Sequence, residues 1–476
     1  MKSCYFKEQR RYSKDELCKA FNCNGEVFFN IVKKLREYNV IKIVKKTAEQ
    51  KDLSDLADID IETDFSSDNV DVYYVFAFVG VIVVAREILI ICYPKYIFKD
   101  EPISELKLIL KVIEKYNSKY QIKGYSDINN TSSNFLSVLL FFVNDYFENG
   151  TYSKKEQVIE LNGNGEIAWE KTINETFMFL SNNVPYYLDL KTKRQSEDTY
   201  NYFKRLYECI VTRASKELKE VQLLELFDIT GIDLSDESLD DFGETEYILY
   251  RIEKELSVEF NTRRQIVLKA MYSYLSHKAS VNDADSFNMF GTNSFNLVWE
   301  DVCQCVFDNQ LDKKLENLCL PESLNNKYDN DRNKKLIEII DKPLWTITGK
   351  HAEDTLIPDL ITIKDGKFII FDAKYYVPIL EDDKTPESQP GIESVAKQYL
   401  YQLAYQEFIS DYKLSVRNCF VFPTDKDVVE NKEEVELKFL KNINLTGILV
   451  RMLPAEDAYK KYLSEKNYDI SELKLD

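Results

Sequence analysis

Histidine is nearly absent: His277 and His351 are the two in a chain of 476 residues. That excludes metal chemistry built on several imidazoles, as in a zinc hydrolase, an HD phosphohydrolase or a histidine-rich metal-finger nuclease. Glycine (13) and proline (11) are also scarce, which removes collagen-like and low-complexity chains from consideration. The nine cysteines form no CxxC pair and are odd in number. Neither a disulfide framework nor a zinc ribbon is expected, and free thiols in a reducing cytosol fit better. Long apolar runs are missing too. The longest, Tyr73 to Ala85, stops at Arg86 and Glu87, too short to span a bilayer, and the N-terminal MKSCYFKEQRR has no apolar signal core. A cytoplasmic protein is expected.

The composition that remains, 44% hydrophobic, 13% aromatic and 30% charged, is that of an ordinary folded protein of roughly three domains. A net charge of -19 argues against nucleic acid or anionic lipid wrapping the whole surface. Locally the sign inverts. Residues 1–46 hold 12 Lys or Arg against 5 Asp or Glu. Ser13-Lys14-Asp15-Glu16 is an S-x-x-E capping box that starts a short helix through Phe21. A second helix is expected from Glu26 to Tyr38, with Phe28, Ile31, Val32 and Leu35 as its core stripe and Asn30, Lys33 and Lys34 opposite. The basic strand Val40 to Lys46 follows, carrying Lys42 and Lys45. Helix, turn, helix and basic strand outline a winged-helix-like module with Asn30, Lys33, Lys34, Lys42 and Lys45 toward DNA; a small helical packing domain is the alternative.

Residues 47–70 read as an acidic linker, with nine Asp or Glu between Ala48 and Asp71 against Lys51. A mixed α/β middle domain is expected over 71–285. In it Tyr73 to Ala85 and Ile88 to Tyr93 form a strand hairpin, and a second hairpin turns at Asn162-Gly163-Asn164-Gly165.

The pattern over 286–476 is helix, strand, strand, strand, helix, strand, so the fold class is mixed α/β. Thr355 to Ile361 reads as a strand, Lys364-Asp365-Gly366 as a turn, and Lys367 to Lys374 as the returning strand. The period-2 pleat puts Asp372 and Lys374 on one side, and Asp359 converges from the paired strand. Two carboxylates and an ammonium gathered in this way could bind a hard divalent cation and activate water. Glu300, on the first helix of this region, is either a further acid of the site or a solvated helix glutamate. On the helix containing Val395, Tyr399 and Leu403, Gln398 is either a site residue or a packing residue.

Pro358-Asp359 followed by Asp372-Ala373-Lys374 resembles the PD-(D/E)XK nuclease signature. The resemblance implies Mg²⁺ held by Asp359, Asp372 and the Ala373 carbonyl, with Lys374 orienting or deprotonating the attacking water. It also implies a further acid such as Glu300 and a helix glutamine such as Gln398, although the frequent Q-x-x-x-Y spacing is absent. A broader likeness rests on Phe76-Ala77-Phe78-Val79-Gly80, Tyr93-Pro94-Lys95-Tyr96-Ile97, Asn162 through Ile173, Phe290-Gly291-Thr292, Val298-Trp299-Glu300 and Asp372-Ala373-Lys374-Tyr375-Tyr376. These runs resemble the LlaJI family of restriction endonucleases and, more distantly, McrC-type nuclease subunits. That likeness implies a bacterial defence enzyme cutting double-stranded DNA, a companion DNA methyltransferase protecting self DNA, and an AAA+ GTPase partner of the McrB type. No G-x-x-x-x-G-K-[ST] run occurs, and Thr348-Gly349-Lys350-His351 is not one, so such a motor would be another chain.

Three functions compete on this reading: a self-sufficient Mg²⁺-dependent endonuclease, a McrC-like subunit silent without its GTPase, and a non-catalytic DNA-binding regulator. Two cuts need two sites, which a homodimer or a partnered assembly would supply.

Overall fold

In the basic N-terminal segment, β1 (Lys2–Lys7) and β2 (Arg11–Tyr12) lead into α1 (Lys14–Phe21). The Ser13 hydroxyl accepts the Glu16 N–H at 3.2 Å and Glu16 accepts the Ser13 N–H at 2.7 Å, closing the capping box. α2 (Gly25–Glu37) buries Phe28, Ile31, Val32 and Leu35, and β3 (Ile41–Lys45) follows. The partner of β3 comes from beyond the acidic stretch: β4 (Val72–Phe76) pairs with both β2 and β3. Residues 1–46 therefore do not end at a domain boundary. Without β4 the edge of β3 would be left with open N–H and C=O groups. β4 also brings Phe76 onto Phe6, their rings stacked at 4.5 Å within one apolar core.

This is a computed structural model that describes residues 2–23, 25–45, 72–85, 87–99, 102–124, 135–153, 155–197, 201–280, 287–376, 378, 389–443 and 445–475. The expected linker, 47–70, lies outside the described residues.

The apolar run Tyr73 to Ala85, expected as one strand, is divided at Ala77 and Phe78. β5 (Val79–Val84) and β6 (Ile88–Tyr93) form a hairpin in a second sheet, ordered β1-β6-β5-β12. There β1 runs parallel to β6, and β12 (Phe287–Thr292) antiparallel to β5. Gly80 faces Gly291 across that last pair, and at its φ of 145° a Cβ would lie 2.1 Å from the Phe290 carbonyl oxygen. Only glycine permits this approach. α3 (Ile103–Gly124) closes this part of the chain.

The chain divides into two bodies, Met1–Asn130 with Ser286–Asp476, and Thr131–Asp285. The second contains α4 (Phe135–Asn149), β7 (Lys155–Leu161), β8 (Glu166–Ile167), α5 (Trp169–Glu175), β9 (Met178–Ser181), β10 (Val184–Tyr187), β11 (Lys191–Glu197), α6 (Tyr202–Glu220), α7 (Leu223–Phe227), α8 (Thr245–Leu256) and α9 (Thr262–Ser280). The expected hairpin at Asn162 does not form, because β11 lies between β7 and β8 and pairs with both. Asn162 supplies the reason. Its Oδ1 accepts the Leu190 N–H at 2.7 Å and its Nδ2 donates to Asp189 at 3.0 Å, which draws the start of β11 in beside the turn. In the helical part, buried Asp145 accepts hydrogen bonds from Arg263 at 3.0 and 3.1 Å, from Tyr207 at 2.7 Å and from Asn149 at 3.0 Å.

The rest of the first body follows as α10 (Phe295–Val306), a short β13 (Leu344–Trp345) and β14 (Lys350–His351) pair, β15 (Leu360–Lys364), β16 (Lys367–Ala373), α11 (Ile392–Ala404), α12 (Gln406–Asp411), β17 (Ser415–Thr424), β18 (Glu430–Val435), β19 (Ile448–Pro454) and α13 (Ala455–Leu463). Five strands form one sheet, ordered β15-β16-β17-β19-β18, parallel in the middle and antiparallel at both edges. The pleat of β16 sends Phe371 onto Phe307 after α10, rings stacked at 4.7 Å, and Phe368 onto Tyr405 at the end of α11. The outer edge of β15 is covered. Gln310 donates its N–H to the Ile361 carbonyl at 2.8 Å, and Asn309 accepts the Ile361 N–H at 3.2 Å.

The architecture is mixed α/β. Among the described residues no helix is long and apolar enough to cross a membrane, and all nine cysteines are free thiols.

Candidate active site

The hairpin of β15 and β16 turns at Asp365 and Gly366, both at positive φ (51° and 71°), the geometry a two-residue hairpin requires. The strand begins at Leu360 rather than at Thr355: Pro358 has no N–H to give a ladder. Asp359 thus stands at the mouth of the strand. From there its Oδ2 accepts the Ala373 N–H at 2.9 Å, on the edge of β16 that β15 has left open. Within a strand a residue's N–H and C=O point to the same side, so the Ala373 carbonyl faces the same space.

Asp372 is buried, and its Oδ1 lies 2.9 Å from Lys374 Nζ. Glu300 reaches in from α10. The amide of Gln304, one turn further on, donates both to Glu300 Oε1 at 3.1 Å and to the Asp359 carbonyl at 3.0 Å. Burial, then the neighbouring Asp372 carboxylate, push the Asp359 carboxyl up to about 8. Glu300 is raised by burial, Asp372 and Asp301, with partial relief from Lys374 and Gln304. Burial alone would lower Lys374, but Asp372 and Asp359 more than offset it and hold it above the ordinary lysine value. Buried Tyr401 on α11 is pushed up to about 12 by burial and then by Asp359, Asp372 and Glu300. The carboxylates crowd one another, and a cation would relieve that.

A cavity of about 490 Å³ opens over this group. Glu300, Asp359, Ala373 and Lys374 line it, and so does Lys42 from β3. Asn30 and Lys33 are exposed and Lys34 half-buried on α2, and none of these three lines the cavity. Lys45 lies on β3 opposite Val72. Gln398 is also away from the cavity: wholly buried, it donates to the Ile370 carbonyl of β16 at 2.8 Å.

The oxygens able to hold a hard cation are those of Asp359, Asp372 and the Ala373 carbonyl. Among the described residues no three His, Cys, Asp or Glu side chains form a ready cage. Two carboxylates completed by water and substrate oxygens are the usual provision for Mg²⁺, so the donors fit that ion. Sequence reasoning missed Gln304, Tyr401, Glu8 and Lys95. Gln304 was accessible as the i+4 neighbour of Glu300; Glu8 and Lys95, which also line the cavity, arrive from remote strands.

A chain of known kind with a similar sequence is the Type II restriction enzyme BsuMI component YdjA of Bacillus subtilis (strain 168), 27% identical over 421 residues that cover 84% of this chain and 83% of the relative. The cryo-EM structure of the Thermococcus gammatolerans McrBC complex aligns with 63% of this chain and 86% of its own at 11% identity, with a TM-score of 0.23. The LlaJI restriction endonuclease profile matches residues 78–455, from just before β5 through the β15–β16 hairpin to the first residue of α13. The chain belongs to the LlaJI restriction endonuclease family.

Proposed function

We propose that this chain is a Mg²⁺-dependent endonuclease that hydrolyses phosphodiester bonds of double-stranded DNA in bacterial restriction of foreign DNA. One observation carries the reading: Asp359, Asp372, the Ala373 carbonyl and Lys374 converge at the mouth of one hairpin, under a cavity. Asp359, Asp372 and the Ala373 carbonyl would hold the ion, which when bound supplies charge against the phosphate and makes water more acidic. Lys374, fixed beside Asp372, directs an ammonium donor at the attacking water or the phosphate oxygens. Gln304 holds Glu300 and the Asp359 backbone in place from α10.

The β2-α1-α2-β3-β4 segment serves in this reading as a winged-helix-like DNA-binding module, with Asn30, Lys33 and Lys34 on α2 and Lys42 and Lys45 on β3. A companion methyltransferase marks self DNA, and a homodimer supplies the second cut. The test is cleavage of unmethylated plasmid by the purified chain. Cutting should require Mg²⁺, stop with a chelator, and be lost in Asp359→Ala, Asp372→Ala and Lys374→Ala. Normal cutting by Asp359→Ala and Lys374→Ala would refute the assignment.

A second reading is a McrC-like subunit that cuts only with an AAA+ GTPase partner. It is favoured by the apolar side chains exposed around the β9–β10 hairpin, Phe177, Leu180, Val184 and Leu188, and by the relative being named a component. Cutting that appears only when partner and GTP are added would select it.

A further inference from the structure

Lys95 belongs to the Tyr93-Pro94-Lys95-Tyr96-Ile97 run after β6, yet it lines the same cavity as Asp359, Glu300 and Lys374. Its surroundings fix it. Its backbone N–H donates to Glu8 Oε2 at 3.3 Å, and the same carboxylate oxygen accepts the Tyr375 hydroxyl at 2.5 Å. Its ammonium lies 4.3 Å from the centre of the Tyr375 ring and 5.7 Å from that of Tyr376, the two residues that follow Lys374. A free lysine would have to surrender rotamer freedom to grip a ligand, whereas this one is ordered by the fold before any ligand arrives. The wall it stands in also contains Lys42, contributed by the basic N-terminal segment.

We infer that Lys95, oriented by Glu8 and the two tyrosine rings, binds a backbone phosphate of the DNA adjoining the one that is cut. The inference rests on the DNA-cleaving reading of the cavity. A duplex strand laid in a cleft presents its neighbouring phosphates to the walls, and a preordered ammonium there positions the strand irrespective of base sequence. Lys95 is a positioning residue for substrate, distinct from the metal-holding carboxylates.

The experiment measures binding of the full-length chain to a short DNA duplex without divalent ion, by fluorescence anisotropy over a range of KCl concentrations. A lysine that neutralises one phosphate contributes about 0.9 to the slope of log affinity against log salt. Lys95→Met should therefore flatten the slope by about that amount, and Lys95→Arg should keep it. Lys327→Met, which removes an exposed lysine paired with Glu407 outside the cavity, should leave it unchanged. Should Lys95→Met strand Glu8 and fail to fold, Glu8→Gln/Lys95→Met removes both charges together and is expected to show the same flattening. A wild-type slope in the folded Lys95 variant would overturn the inference and leave the cleavage reading standing. Absence of duplex binding by the wild type would overturn both.

Discussion

Asp145 and Asp372 are both buried, but under opposite conditions. Asp145, among the helices of the second body, accepts four hydrogen bonds from Arg263, Tyr207 and Asn149. Asp372 meets the Lys374 ammonium and the Asp359 carboxyl, itself pushed up to about 8. A charge satisfied by its own protein holds a fold together, whereas carboxylates crowded beside a cavity are candidates for holding something that comes from outside.

The largest expected effect breaks the function and spares the fold. Asp372→Ala or Lys374→Ala should lower plasmid cleavage by at least about a thousandfold, roughly 4 kcal/mol of transition-state stabilisation. Asp359→Asn should match that loss while its melting temperature holds or rises, because a crowded carboxyl is removed. A stability loss as deep as the activity loss would make the group structural.

Asp145→Ala should do the reverse. It leaves Arg263 without its partner and should cost about 3 kcal/mol in urea denaturation, toward the low end for buried pairs because Arg263 keeps contact with water. Cleavage per folded molecule should persist.

Smaller effects sharpen the contrast at the residues proposed to face DNA. Lys33→Ala should flatten the salt dependence of DNA binding by about 0.9 if it neutralises one phosphate, without altering cleavage of bound DNA. This point change is preferable to deleting residues 1–46, which would strip β1 from β6 and β3 from β4. Smallest of all, Gln398→Met gives up one hydrogen bond to Ile370 and an oxygen without a partner. Stability should move by no more than about 1 kcal/mol and cleavage should stay near wild type. A collapse of cleavage would return Gln398 to the site.

What could be read in the sequence was local. The Ser13–Glu16 box, the Phe28 to Leu35 stripe and the turn at Asp365-Gly366 each depend on neighbours within a few residues, and the last sufficed to bring Asp359 toward Asp372 and Lys374. Pairing across distance left no such mark. The β3–β4 ladder spans the acidic segment, and β11 displaces the hairpin that Asn162-Gly163 suggested because a side chain captured Leu190. Asn182 and Asn183, at φ 51° and 66°, turn the β9–β10 hairpin and offered a local signal that went unread. Glu8 and Lys95 could not be placed at the cavity from spacing, since strand pairing brings both there from remote parts of the chain.

The central claim is that the Asp359, Asp372 and Lys374 cluster cuts DNA. Its most direct measurement is cleavage of unmethylated plasmid in Mg²⁺ by wild type and Lys374→Ala, each with and without GTP and the AAA+ partner. Fragments from wild type that vanish in the variant are the expected result, with the partner-free lanes deciding whether the chain works alone. Equal cutting by Lys374→Ala, or duplex binding with no cutting by the wild type under either condition on DNA carrying a suitable site, would contradict it.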